Sequence, residues 1–481
     1  MLFNSYIFLF LFLPLCLFGY FFCNKRGWNK SALLILIGMS LWFYSYNHLQ
    51  YLLLFVFSIL CNWLIVQIMN KKPIKYPQLV LGIGIGINIL IIFYYKYLYF
   101  VVFNMNRFLN TSFTVEAILL PLGISFYTFQ QISFLVDTIR GETKEYTFLE
   151  YVAFISFFPQ LVAGPICLHS EIIPQFRKNE KRCFNYDNFA AGIYIFATGL
   201  FKKVILADTF GEAVSWGFSN TDILSSLEIA IVMLSYTFQI YFDFSGYSDM
   251  AIGIARMFNI DIPHNFNSPY KANSIIEFWD KWHMTLTRFL RKYVYFPMGG
   301  SKKGKIRTYV NILTVFLISG IWHGANWTFI LWGCIHGIAN ILNRIFKKEW
   351  DKLHTAFQWI CTFSFINVTW LLFRADSVSQ AIELLKRLIR AESFEIHSTL
   401  NWCFYLNEFD ICQWVVPFVY DIRGFWIWIS VAMGLFVCLN MTDVADKEFK
   451  PTWIKMLGTA GMLIWSVVSF GGITTFLYFN F

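Results

Sequence analysis

Residues Leu313–Ile338 read LTVFLISGIWHGANWTFILWGCIHGI, a helix-length apolar run with His323 in its middle. A polar group at membrane depth costs several kcal/mol unless it is hydrogen-bonded or lines a wet cavity. The run therefore predicts a functional site at His323, and the alternative is a buried histidine that bonds a neighbouring helix. Gly320 and Gly324 are four residues apart on one helical face. We expect them to let another backbone or a substrate approach His323 closely.

The composition indicates one class of protein. Of 481 residues, 57% are hydrophobic, 20% are aromatic and only 14% are charged. This balance predicts an all-α polytopic membrane protein. Apolar runs recur from end to end, and we expect roughly a dozen transmembrane and re-entrant helices around a thin central cavity or funnel.

The charges and cysteines argue against other classes. The net charge is +9, but most lysines and arginines lie between apolar runs. That pattern is typical of cytoplasmic loops rather than of a nucleic-acid-binding protein. The ten cysteines are scattered without a CxxC pair or a Cys/His cluster. They indicate neither a disulfide scaffold nor a metal site.

The first loops predict the orientation in the membrane. Leu2–Cys23 is apolar, has no basic segment before it and no small-residue cleavage site after it, and so predicts a retained helix. The basic clusters Lys25–Lys30 and Lys71–Lys75 are separated by two further apolar runs, which puts both on one side. By the positive-inside rule that side is the cytoplasm, and the N-terminus is predicted to be outside.

The middle of the chain is more interrupted. Pro121–Thr138 is only partly apolar and carries two glutamines and an aspartate. Phe157–Ile166 contains prolines and a Gly-Pro break, which predicts a broken or re-entrant helix. Irregular backbone at membrane depth is tolerated only beside protein or a water-filled cavity. The basic segment Glu171–Asn188 is predicted to be a cytoplasmic loop.

Polar residues are densest between Ile240 and Arg307. Asp243 lies in an apolar run, where a carboxylate is normally paired or faces water. Aromatic and basic residues are mixed at helical spacing through Trp279–Tyr293, which predicts an amphipathic helix at the cytoplasmic membrane surface. His283 is the exception, because Trp282-His283 repeats the Trp-His pair at His323. Two imidazoles brought together can divide proton transfer and orientation.

Several blocks in this region carry a family resemblance: FDFSGYSDMAIG, NFNSPY, EFWDKWHMTLTRFLRKYVYFPMGG, IWHGANWTFILWG and FRAD. They resemble the membrane-bound O-acyltransferase family, and most of all its bacterial alginate O-acetylation branch. That branch includes peptidoglycan and cellulose acetylation proteins and is related to the D-alanyl transferase of teichoic acids. The resemblance covers about Pro121–Phe373. It implies one domain over residues 1–481, with N-terminal helices at 1–110, a core at 121–376 and C-terminal helices with an aromatic tail at 377–481.

The resemblance also implies site residues. His323 matches the family's histidine, and His283 matches its second one. A neutral imidazole suits removal of a proton from an attacking hydroxyl, and His323 is the candidate base. Asn326, expected one helical turn on, is predicted to orient the ring or bind substrate, unless it only bonds another helix. Asp243 is a further supporting candidate. His336 is predicted to lie off that face and is excluded.

The C-terminus suggests a covalent relay. The chain ends FLYFNF, and related acyltransferase systems carry a similar Phe/Tyr motif. Tyr478 is therefore a candidate acyl carrier, provided that a base reaches its hydroxyl. The alternative is an aromatic residue that anchors the last helix at the membrane surface.

No Walker loop, GxGxxG or GxSxG motif accompanies the histidines, so the motifs do not identify a donor. The expected donor and partners are therefore those that the resemblance implies. The implied donor is acetyl-CoA, with no metal. The implied partners are membrane lipid, a separate periplasmic or surface acetyltransferase and a polysaccharide acceptor, with no nucleic acid. The implied location is the inner (plasma) membrane. Two alternatives are D-alanyl or other acyl transfer and a proton-coupled transporter, although a transporter should show inverted repeats.

Overall fold

The computed structural model describes residues 1–46, 48–71, 76–116, 118–406, 410, 424–440, 449–470 and 476–477. Every regular element in these ranges is a helix, which confirms the all-α prediction. Helices long and apolar enough to cross a membrane are Phe8–Lys25, Leu49–Asn70, Pro77–Leu109, Tyr186–Ser219, Ser226–Met257 and Thr355–Arg374. Two shorter apolar helices are Phe425–Asn440 and Trp453–Val468. The polytopic class is as predicted, while the central cavity stays a prediction.

The chain forms two compact units. The first contains residues 1–198, 247–264 and 448–480, and the second contains residues 199–246, 265–447 and 481. Helices of the first unit beyond the spans already given are Asn29–Ser45, Ile124–Ile139, Phe148–Ser156, Phe158–Leu161, His169–Arg177 and Trp453–Val468. The division into these units leaves the single-domain organisation a prediction.

A buried amide network joins three helices of the first unit. The Gln131 side-chain oxygen accepts from Ser58 Oγ at 2.8 Å and from Asn62 Nδ2 at 2.9 Å. Asn88 Nδ2 donates to Asn62 Oδ1 at 2.7 Å. These side chains are all buried, so the partly apolar segment around Gln131 lies inside protein and not against lipid.

The Gly-Pro segment is broken, as predicted. One helix runs over Phe148–Ser156, a single turn follows at Phe158–Leu161, and Phe157 between them has φ −51° and ψ 104°. The first of these helices starts with a capping box, in which Thr147 Oγ1 accepts from the Glu150 backbone N–H and Glu150 accepts from the Thr147 backbone N–H.

The second unit contains a tight helical hairpin. Its further helices are Asp208–Ser219, Ile275–Lys281, Met284–Leu290, Lys305–His323, Trp327–Ile345, Lys347–Trp350, Val378–Arg390, Ser398–Trp402 and Phe425–Asn440. A Cβ atom added at Gly320 would lie 2.4 Å from the carbonyl oxygen of Phe329, and one at Gly333 would lie 2.5 Å from that of Phe316. The close backbone approach predicted at Gly320 is therefore present, between Lys305–His323 and Trp327–Ile345.

Two predicted continuous helices are interrupted. The Leu313–Ile338 run is two helices, because Gly324 adopts an extended conformation with φ −168° and ψ 154°. His323 is consequently the last residue of a helix and not the middle of one. The amphipathic segment Trp279–Tyr293 also breaks, at His283, whose φ of 45° is left-handed. A left-handed residue cannot continue a right-handed helix, which is why this prediction was wrong.

Candidate active site

His323 lies at the end of the hairpin in an aromatic enclosure. Its imidazole is 4.9 Å from the ring of Trp322, 5.4 Å from that of Trp332 and 5.0 Å from that of Phe373, measured between ring centroids. The residue is 3% exposed. The three rings meet the imidazole at 69°, 87° and 70°, which is the edge-to-face arrangement that aromatic pairs favour. They hold the orientation of the predicted base.

His283 is held by the loop that precedes it in the chain. Its Nδ1 lies 2.9 Å from Asn265 Oδ1, an oxygen that also accepts from the Thr285 backbone N–H and hydroxyl. The Met284 N–H donates to the Asn265 carbonyl at 2.9 Å. Because an amide oxygen only accepts, His283 Nδ1 donates, and the lone pair of the neutral ring is on Nε2.

The two predicted histidines lie on one indole. The ring of Trp322 is 6.1 Å from the imidazole of His283 and 4.9 Å from that of His323. Both imidazoles and the indole are buried. The structure therefore brings together the two Trp-His pairs that the sequence singled out forty residues apart.

His336 was excluded by the sequence argument, yet it belongs to this cluster. It lies 4.8 Å from the ring of Trp332, which in turn packs on His323. Its Nδ1 accepts from Trp279 Nε1 at 3.2 Å, and its Nε2 lies 3.0 Å from the Thr369 hydroxyl. That hydroxyl donates to the Ile366 carbonyl, so His336 Nε2 is the donor and the ring is a fully bonded neutral tautomer.

Sequence reasoning missed His336 and Asn265 for different reasons. His336 was rejected by counting helical positions from His323, and the count fails because the helix ends there. Asn265 lies in the quoted NFNSPY block, eighteen residues before His283. The density of polar residues in that apolar region was the available signal for it.

Asn326 does not occupy the predicted position. It is the N-cap of Trp327–Ile345, where its Oδ1 accepts from the Thr328 backbone N–H at 3.2 Å. Its Nδ2 donates to the Asp376 carbonyl at 3.0 Å. The prediction that Asn326 shares a helical face with His323 was wrong, because the extended Gly324 separates the two helices. The contacts of Asn326 are those of a helix cap.

Asp243 is paired, as expected for a carboxylate in an apolar run. Lys203 Nζ lies 2.7 Å from Asp243 Oδ1 and 2.8 Å from Asp208 Oδ1. The Lys203 and Asp243 side chains are only 2% and 3% exposed. This buried ion triad joins the Ser226–Met257 helix to the turn at the start of Asp208–Ser219.

The remaining predicted residue, Tyr478, lies outside the described residues.

A group of side chains that can hold a cation is present in the first unit. Asp137, Glu142 and His169 place ligand atoms within 4.8 Å of one another. Asp137 already pairs with His169 at 3.2 Å and with Arg140 at 3.1 Å, so both of its oxygens have partners.

A cavity of about 360 Å³ adjoins the histidine cluster in the second unit. Trp279, the donor to His336, forms part of its wall. Arg291, Arg344 and Asp280 also line it, and Arg291 lies 3.7 Å from the Asp280 carboxylate. The two guanidinium groups exceed the one carboxylate, so a cavity with this charge and an aromatic wall suits an anionic substrate with an apolar portion.

Comparisons with known proteins identify a family for this chain. The family model of the membrane-bound O-acyltransferase family matches residues 41–377. A peptidoglycan O-acetyltransferase of Helicobacter pylori is 38% identical over 100% of this chain and 98% of its own length. A Pseudomonas putida protein named "Probable alginate O-acetylase AlgI" is 36% identical over 100% of both chains.

A more distant relative is a teichoic acid D-alanyltransferase of Bacillus subtilis, 28% identical over 50% of this chain and 62% of its own length. The family match covers both histidines on Trp322 and more than half of the chain. The protein therefore belongs to the membrane-bound O-acyltransferase family.

Proposed function

We propose that this chain is an O-acetyltransferase that carries acetyl groups across the membrane for attachment to an extracytoplasmic glycan, namely peptidoglycan. The acceptor choice rests on the full-length similarity to the Helicobacter pylori peptidoglycan O-acetyltransferase. The observation that carries the chemistry is the pair of buried imidazoles, His283 and His323, that both lie close to the ring of Trp322. O-acyl transfer needs a group that removes a proton from a hydroxyl as the hydroxyl attacks a carbonyl.

His323 acts as the base in this proposal. It takes the proton of the acceptor hydroxyl while the hydroxyl oxygen forms a bond to the acyl carbonyl carbon. The bond from that carbon to the donor sulfur then breaks, and the proton passes to the leaving thiolate. His283, with its lone pair on Nε2, orients or shares the proton. A positioned base of this kind supplies about 10² to 10⁴ in rate.

The donor in this proposal is cytoplasmic acetyl-CoA. Arg344 supports it, because a guanidinium group binds phosphate in a bidentate manner and Arg344 lines the cavity beside Trp279. Arg291 lines the same cavity and is paired with Asp280. The enzyme is placed in the inner membrane, with its N-terminus outside. It passes the acetyl group to a separate periplasmic or surface acetyltransferase, with Tyr478 as the relay.

The test is the ester-linked acetate of peptidoglycan purified from cells that express each variant at matched membrane levels. His323→Ala is expected to remove the acetate, whereas the exposed His48→Ala leaves it unchanged. An equal loss in Tyr478→Phe supports the relay. Unchanged acetate in His323→Ala would refute the base assignment.

The same extracts distinguish the D-alanyl alternative. Ester-linked D-alanine is measured beside acetate in the peptidoglycan and in any other surface polymer. We expect acetate alone to depend on His323. Dependence of D-alanine instead would favour the activity named for the Bacillus subtilis relative.

A further inference from the structure

A second and larger cavity lies in the first unit. Its volume is about 1270 Å³. Its wall is formed mainly by three elements, together with Met257: Phe8–Lys25, the segment 182–196 with the start of the Tyr186–Phe201 helix, and the end of Trp453–Val468. On the first helix its lining runs from Leu9 to Lys25. At 1.5 Å per residue this is roughly 24 Å, more than the roughly 15 Å of hydrocarbon in one leaflet.

The wall of this cavity is apolar and open at the protein surface. Phe10, Phe18 and Ile464 line it and are 67%, 69% and 65% exposed. Phe8–Lys25 is long and apolar enough to cross a membrane, so its exposed apolar side chains face hydrocarbon and the cavity opens toward lipid. The length of the cavity suits extended hydrocarbon chains.

One end of the cavity is cationic. Lys25 and Arg182 line it there. Arg182 donates to Asn179 Oδ1 at 2.5 Å and to the Phe176 carbonyl at 3.3 Å, which fixes the guanidinium group. In the part of the chain that the structure describes, neither Lys25 nor Arg182 pairs with a carboxylate. Two cations without an acidic partner among the described residues therefore lie at one end of this apolar cavity.

The two cations come from segments that the sequence analysis assigned to the same membrane side. Lys25 belongs to the first basic cluster, and Arg182 belongs to the basic segment Glu171–Asn188. Residues of both segments line this one cavity. Basic pockets between helices on the cytoplasmic side attract anionic lipid headgroups, each cation contributing about 1 kcal/mol, or roughly fivefold in affinity.

We propose that this cavity binds an anionic phospholipid. Its phosphodiester lies against Lys25 and Arg182, and its acyl chains lie along the first helix and Trp453–Val468. Charge complementarity favours an anionic over a zwitterionic lipid, and the cavity length favours a lipid over free phosphate. A second copy of this chain would cover the apolar wall but would leave both cations without a counter-charge.

The experiment is native mass spectrometry of the purified full-length protein, titrated in detergent with POPG or POPC. Wild type is expected to bind POPG about 30-fold more tightly than POPC, and inorganic phosphate is not expected to compete. Lys25→Gln/Arg182→Gln should lower POPG affinity to that for POPC. Lys348→Gln/Lys352→Gln removes two exposed lysines outside the cavity and should leave POPG binding unchanged.

Arg182 also holds local backbone, so a fold-preserving variant is needed. Lys25→Gln alone should lower POPG affinity about fivefold at an unchanged unfolding temperature in lipid-free detergent. The proposal is overturned if wild type does not prefer POPG, if both variants keep wild-type affinity, or if a dimer forms in place of lipid binding.

Discussion

Trp332 lies edge-on to His323, with ring centroids 5.4 Å apart and ring planes at 87°. The same indole lies 4.8 Å from the ring of His336, measured between centroids. His336 is itself fixed by hydrogen bonds with Trp279 and Thr369. The support of the candidate base therefore extends through Trp332 to the neutral ring of His336.

His336→Ala should weaken both the fold and the reaction. It leaves the Trp279 N–H without its acceptor and removes a buried ring, which together cost about 2–5 kcal/mol. Thr369→Val removes only one of the partners and should cost about 1 kcal/mol. Unfolding temperature in detergent and acetyl transfer per folded molecule are measured for both. A role for His336 in holding Trp332 predicts lower turnover in the folded His336→Ala protein, and unchanged turnover would contradict it.

His283→Asn separates chemistry from backbone geometry. Asparagine tolerates the left-handed conformation that His283 adopts, so the break between the two short helices should persist. The imidazole is lost, and we expect acetyl transfer to fall by about 10² or more at a nearly unchanged unfolding temperature. His283→Val is the contrasting variant, because a β-branched residue is strained there and should unfold earlier. Full activity in His283→Asn would exclude a proton-transfer role.

Replacing a glycine of the hairpin by alanine should lower the stability of the protein. Gly320→Ala places a methyl group 2.4 Å from the Phe329 carbonyl oxygen, and relief requires the helices to separate. We expect a loss of about 1–3 kcal/mol in stability. Gly86→Ala is the control, because its added methyl meets nothing within 4 Å and alanine favours a helix. Equal unfolding temperatures for the two variants would show that the hairpin tolerates separation.

The buried triad predicts a large cost for removing one charge. Lys203→Met leaves Asp243 buried without its cation, which costs about 3–5 kcal/mol. Lys203→Met/Asp243→Leu should recover most of this loss. Lys281→Gln, which breaks a partly exposed pair with Glu277, should cost about 0–1 kcal/mol. The unfolding free energy is measured for wild type and the three variants. A double variant as unstable as Lys203→Met would contradict the pairing of Lys203 with Asp243.

An ion pair in the first unit predicts a pH dependence of stability. Arg177 binds both carboxylate oxygens of Glu150, at 2.6 and 2.9 Å. Burial alone would raise the pKa of Glu150, but hydrogen bonds from Arg177 and Thr147 outweigh it and hold that pKa below its usual value. The resulting stabilisation is present above the unfolded-state pKa and is lost as pH falls through the lower folded-state pKa.

Wild type should therefore lose about 1–2 kcal/mol on acidification that Glu150→Gln does not lose. Unfolding free energy is measured for both proteins from neutral pH to below the usual pKa of glutamate. Glu383→Gln, an exposed substitution, should follow wild type. Parallel curves for wild type and Glu150→Gln would show that the ion pair contributes no pH-dependent stability.

The membrane class and the histidine pair could be predicted from sequence because both depend on residue type. A chain this apolar has few soluble alternatives, and an imidazole in an apolar run is costly unless it has a function or a partner. Helix boundaries were harder to predict. From its residue type alone, Gly324 can either continue a helix or end one. The structure shows that the helix ends there, and that the two resulting helices pack closely at Gly320.

Contacts between distant segments were also beyond the sequence argument. Nothing local indicates that Asn265 bonds His283 or that Lys203 neutralises Asp243. For Asn326 the sequence argument expected a contact that the structure does not have. Its predicted position assumed a continuous helix, but the extended Gly324 ends that helix and Asn326 caps the next one.

The glycine contact in the hairpin also has a consequence for protein engineering. A methyl group cannot be accommodated at Gly320 or Gly333, so a library aimed at a new acceptor should keep both codons constant. Diversity belongs instead in the rings that enclose His323, such as Phe373, since these side chains can change shape without parting the two helices. Such a library would alter the rings around the imidazole while leaving the backbone packing of the hairpin intact.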